Sequence, residues 1–126
     1  MSDTSLLNQL GVVKRHIVRA DKAAVDKLAR FGVATIHEAM GRVGLMKPYM
    51  RPVYPGARMC GTAVTILLQP GDNWMLHVAA EQLQPGDVAV AACTTDNDDG
   101  FLATCWQLLF GPAARWAWSL TAVCAT

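Results

Sequence analysis

Apolar and polar positions follow two rhythms along the first hundred residues, one of helical period and one of strand type. From Asp21 to Arg30, Val25 and Leu28 fall on one helical face, with Asp21 placed to cap and Gly32 to stop the helix. A second helix is predicted from Thr35, where Thr35 and Glu38 spell a capping box and Gly41 and Gly44 end the segment. Cys60 to Leu68 is rich in β-branched and apolar residues and predicts a strand. Pro70 and Gly71 form a turn and Asp72 is placed to cap. Asn73 to Gln82 then reads as a helix, with Met75, Val78 and Ala79 at helical spacing. Pro85, Gly86 and Asp87 repeat the device ahead of an apolar strand from Val88 to Cys93. Helix and strand alternate, so the predicted class is α/β.

At Gly100 the pattern breaks. All ten acidic residues lie at or before Asp99, three of the four tryptophans lie after Gly100, and Arg115 is the only formal charge from Phe101 onward. The predicted organisation is therefore 1–100 as one structural unit and 101–126 as a tail of different character. A chain of 126 residues is one modest domain, long enough to bury a core.

Charge and cysteine content narrow the partners. The net charge is +1, and basic residues are spread singly from Lys14 to Arg58, unlike a phosphate-tracking surface. A solvated face is expected there, with neither nucleic acid nor an anionic membrane as partner. Cys60, Cys93, Cys105 and Cys124 form no CxxC pair, which fits free thiols in a reducing cytoplasm. Residues 1–8 carry an acid and no basic n-region, so no secretory signal is expected. Gly111, Pro112 and Arg115 interrupt the apolar tail before it reaches a membrane-spanning length.

Two places carry candidate chemistry. His37 and Glu38 are proton carriers side by side, although Glu38 is already accounted for as a capping residue. Asn73 and His77 lie one turn apart at a helix start, where free backbone donors attract carboxylate or phosphate, and Trp74 between them is either core or part of that surface. No phosphate loop, nucleophile elbow, HExxH or EF-hand pattern is present.

The runs GVVKRHIVRADKAA, ATIHEAMGRVGLMKPYMRP and GTAVTILLQPGDNWMLHVAAEQLQPGDV resemble the amino-terminal half of the 4-hydroxy-4-methyl-2-oxoglutarate / 4-carboxy-4-hydroxy-2-oxoadipate aldolases. These belong with the regulator of ribonuclease activity A-like proteins. The resemblance runs nearly continuously from Gly11 to about Gly100. It implies a swivelling β/β/α-type domain, here truncated, and a metal-dependent class II pyruvate aldolase of aromatic-acid catabolism, a lyase with oxaloacetate decarboxylase side activity. The alternative it leaves open is a non-catalytic binding protein like the ribonuclease regulators. It further implies a magnesium or manganese ion, a small oxo-acid substrate, and trimers or pairs of trimers with active sites between subunits. Matched to the family's motifs, Glu38 and His77 would be catalytic and Asn73 and Trp74 would bind substrate.

The family continues with a GDLLA segment that contacts substrate and then a GVRD segment bearing the oxyanion arginine and a metal-binding aspartate. Neither stands in the sequence after Asp99, which leaves no acidic ligand there for a hard cation. A lost nucleotide near codon 102 would account for both. If each true codon joins the third base of one residue to the first two of the next, residues 102–126 re-read, with a suitable choice of synonymous codons, as GDLLATSFRARGALGLVIDGGVRD. Tryptophan has a single codon, so Trp106 with Gln107 forces alanine and Trp116 with Ala117 forces glycine, and the re-read string has both. The expected product of the present frame is an incompletely layered, aggregation-prone and inactive chain.

Overall fold

The computed structural model describes residues 11–48, 50–52, 55–96 and 98–101, together with the backbone of 122–124. Helix α1 is Lys22–Leu28 and helix α2 is Val33–Ala39. Strand β1 (Thr62–Leu68), helix α3 (Trp74–Ala80), strand β2 (Asp87–Cys93) and strand β3 (Ala122–Cys124) follow. The expected α/β class holds.

Asp21 caps α1 as its residue type predicts, its carboxylate accepting from Ala24 N at 2.9 Å. The capping box does not form. Helix α2 starts at Val33 behind Gly32, which is extended (φ −72°, ψ 149°) and has no side chain to cap with. Thr35 is thereby inside the helix, and Glu38 pairs instead with Arg42 one turn on, at 3.5 Å. Gly32 also opens α2, where the sequence pattern made it the stop of α1. Beyond α2 the chain turns through two left-handed residues, Gly41 (φ 75°) and Arg42 (φ 63°), and Arg42 N donates to His37 O at 2.8 Å.

Strands β1 and β2 run parallel in register from Thr62 opposite Asp87 to Leu68 opposite Cys93, joined by a crossover through α3. β3 adds a third parallel strand beside β2, giving the order β1-β2-β3. The period-2 rule divides β1 sharply: Val64, Ile66 and Leu68 are buried while Ala63, Thr65 and Leu67 are exposed. In β2, Asp87, Ala89, Ala91 and Cys93 are buried and Val88, Val90 and Ala92 half-buried. Leu76 and Ala79 of α3 and Phe101 close the core over Ile66, Leu68, Ala89, Ala91 and Cys93, with Met75, Ala80 and Leu83 packed at its edge. The alanines of β2 leave room for the larger side chains of β1 and α3.

Gly61 is required by close approach. A Cβ there would lie 2.4 Å from Gly86 O and 2.8 Å from Val88 Cγ2, and Gly86 O is the acceptor of Thr62 N that starts the ladder. Gly61→Ala is expected to cost about 1–3 kcal/mol, the usual penalty of overpacking, read as a lower urea midpoint. Gly100→Ala, where nothing lies within 4 Å and φ is not left-handed, serves as the control and is expected to change the midpoint little.

Much apolar surface stays uncovered among the described residues. α1 and α2 bury no residue, and Val18 (94% exposed), Val33 (70%) and Trp74 (66%) are joined by exposed Phe31, Met40, Val43 and Leu45. A monomer seldom carries so many large apolar groups in water. The chain is therefore expected to self-associate at micromolar concentration, with a sedimentation coefficient that rises with concentration. A constant monomeric value would contradict this.

Candidate functional site

Parallel strands gather their following loops at one edge, and ligands of α/β sheets bind outside the carboxyl ends of the strands. In this chain the loop after β1 is Gln69–Asn73. Gly71 (φ 72°) makes the turn, Asp72 N donates to Gln69 O at 3.1 Å, and Asp72 Oδ1 accepts from Trp74 N at 2.7 Å. Asp72 thus does the capping expected of it, while Asn73, the residue at the cap position, makes no side-chain capping bond.

Asn73 faces the second loop instead. Its Nδ2 donates to Phe101 O at 3.5 Å, tying the start of α3 to the chain that follows β2. The position a Cβ would take on Gly71 is 3.9 Å from Asp99 Oδ2, so the Asp99 side chain lies against the turn. Phe101 itself is 4% exposed and anchors that loop in the core.

Trp74 and His77 share the exposed side of α3 with ring centroids 6.4 Å apart at 43°. Trp74 is not core. It offers an aromatic face in water next to an imidazole. α3 is seven residues, about two turns, so its dipole alone contributes little to anion binding.

The structure thus brings Asn73, Trp74 and His77 together at the carboxyl edge of β1, beside Asp99 and Phe101. Glu38 and His37 lie on α2, where the Glu38 carboxylate engages Arg42 with both side chains largely exposed. Phe101 and Asp99 were missed in the sequence because residues near a composition break carry no periodic pattern. Arg19 was missed as well: scattered basic residues suggest solvation, yet Arg19 forks onto the buried Asp87. That hydrogen bond, with a smaller coulombic contribution, holds the Arg19 guanidinium above its ordinary pKa against the opposing effect of desolvation. A raised arginine keeps its charge throughout the working pH range, so any stability it brings is lost only above that range.

The family comparison extends this picture. The sequence profile of the RraA-like family, described as Aldolase/RraA, matches residues 33–108. That span exceeds half of the 126 residues and takes in α2, β1, α3, β2 and both loops of the carboxyl edge. The chain belongs to the RraA-like family. The family holds both lyases and proteins that regulate ribonuclease without catalysis, so membership leaves the choice between them to the site of this RraA-like chain. Among the described residues, no helix is long and apolar enough to cross a membrane. Nor do three His, Cys, Asp or Glu side chains among them converge as a cation cage.

Proposed function

We propose that this chain carries the amino-terminal half of an aldolase-type RraA-like domain and that the other half is encoded in the neighbouring reading frame of residues 102–126. With that half in frame, the protein is a carbon-carbon lyase of the cytoplasm. It cleaves 4-hydroxy-4-methyl-2-oxoglutarate or 4-carboxy-4-hydroxy-2-oxoadipate to pyruvate plus pyruvate or oxaloacetate, with oxaloacetate decarboxylation as a side reaction. In the present frame it is inactive.

What carries this reading is that residues 102–126 permit, with synonymous codons chosen accordingly, a re-reading that contains GDLLA and GVRD, and that the two residues forced by tryptophan codons agree with it.

In the restored protein Asn73 and Trp74 would hold the oxo acid, His77 would exchange protons at its reacting end, and Glu38 would complete the site. The re-read arginine would stabilise the oxygen on which negative charge develops. A divalent cation such as magnesium or manganese would supply Lewis acidity when bound. Its carboxylate ligand would be the re-read aspartate, as the family resemblance implies. Assembly as a trimer or pair of trimers, with sites between subunits, is part of the same proposal.

The test is pyruvate release in the presence of magnesium, measured on this chain and on the chain with one base restored. Release only after restoration supports the lyase. An intact, ordered but inactive restored protein favours the non-catalytic regulator.

A further inference from the structure

Helices α1 and α2 bury no residue, and at seven residues each they are too short to persist in water unaided. The attachment of residues 19–25, which lead into α1, is polar and concentrated at the amino edge of the sheet. Arg19 Nε donates to Asp87 Oδ1 and Oδ2 at 2.9 and 3.1 Å, and Arg19 Nη2 donates to Asp87 Oδ2 at 2.7 Å and to Gln82 O at 2.8 Å. Asp87 is 3% exposed and also accepts from Gln84 N at 2.9 Å. One residue on, Ala20 N donates to Thr62 Oγ1 at 3.2 Å. Cys60 Sγ donates to Val25 O at 3.5 Å. Residues 19–25 are thereby fastened to the first residues of β1 and β2, and the next residue after this double anchor, Asp21, caps α1.

We infer that Arg19 and Asp87 form a latch, a positioning pair that docks the α1–α2 segment, with His37 and Glu38 on it, against the amino edge of the sheet. Several features fit a latch better than a general core contact. The pair sits at the first residue of β2, outside the apolar cluster. β1 and β2 have their own seven-residue ladder and α3 to hold them. The fork also has direction: a planar guanidinium meeting a carboxylate through two nitrogens fixes orientation as well as distance, which a lysine ammonium does not. The inference stands whether or not the proposed lyase function does, because it concerns how the helices are held.

Hydrogen exchange of the full 126-residue chain, at a concentration below that at which sedimentation shows association, tests it. In Arg19→Ala, amides of 22–41 should exchange faster by about tenfold or more, the scale of a lost charge-assisted bond. Amides of β1, β2 and α3 should change far less. Arg19→Lys should fall between, because one ammonium replaces part of the fork. Arg19→Ala leaves the buried Asp87 carboxylate with a single donor and can weaken the sheet itself. The double variant Arg19→Met, Asp87→Leu therefore removes both charges and keeps an apolar fill, and it too should release 22–41 while sparing the sheet. Unchanged exchange in 22–41, or uniform acceleration across helices and sheet in the double variant, would overturn the latch.

Discussion

One guanine inserted after codon 102 is expected to convert an inactive chain into a pyruvate-releasing lyase. With Leu102 as CTG, Ala103 as GCG and Thr104 as ACC, one codon choice that permits it, the inserted base gives Leu-Gly-Asp and opens the GDLLA segment. The present sequence has Asn73, Trp74 and His77 at the carboxyl edge, but residues 102–126 do not contain the GVRD segment to which the resemblance assigns the oxyanion arginine. Removing a single donor to an oxyanion lowers turnover about 100- to 1,000-fold, and here the arginine, the aspartate and the substrate-contacting segment are all replaced. Pyruvate release from the restored protein with magnesium should therefore exceed that of the present chain by at least about a hundredfold. His77→Gln in the restored background should lower turnover by about a hundredfold or more if His77 moves a proton. Equal activity in the two frames, or gene codons that do not permit the re-reading, would sink the proposal.

The legible parts of the fold are those where one local rule acts alone. Alternation in Thr62–Leu68 gave the strand and its buried face, because a period of two leaves no other way to sort Val64, Ile66 and Leu68 from Ala63, Thr65 and Leu67. Asp21 was readable as a cap for the same reason. Thr35 was misread because two start signals competed: an extended glycine two residues upstream let the helix begin earlier, and no sequence rule ranks a bare glycine cap against a capping box. The two PGD turns look identical yet diverge, since Asp72 caps α3 in solvent while Asp87 is sealed beneath Arg19, 68 residues away along the chain. Long-range pairing of that kind leaves no local trace. At the site, Asn73 and His77 are both exposed one helical turn apart, whereas the exposure of Trp74 depended on Leu76 and Ala79 facing the core instead. Glu38 became a site residue through family resemblance alone, and its contact with Arg42 leaves that role to be tested.

Leu68→Ala is expected to unfold the chain, while Leu67→Ala, one residue away, should leave it nearly unchanged. Leu68 is fully buried, and its neighbours in the cluster are mostly small: Ala79, Ala89, Ala91 and Cys93. Small side chains on fixed strands cannot swing into the gap, so the cavity persists and the cost should lie near the upper end of the 2–5 kcal/mol usual for such truncations. Domains are commonly stable by only about 5–15 kcal/mol, and this one leaves much of its apolar surface uncovered, which puts it at the low end. Leu67 points to the opposite face and is 56% exposed, so its truncation should change stability by no more than about 0.5 kcal/mol. Urea titrations of the two variants followed by circular dichroism give the comparison directly. The second number carries the sharper information, because parallel sheets are normally covered on both faces. If Leu67→Ala costs as much as Leu68→Ala, the outer face is covered in solution, and the monomeric account of this sheet fails. If the two differ as expected, the face of Ala63, Thr65 and Leu67 is open, and the sheet of the present chain is packed on one side only.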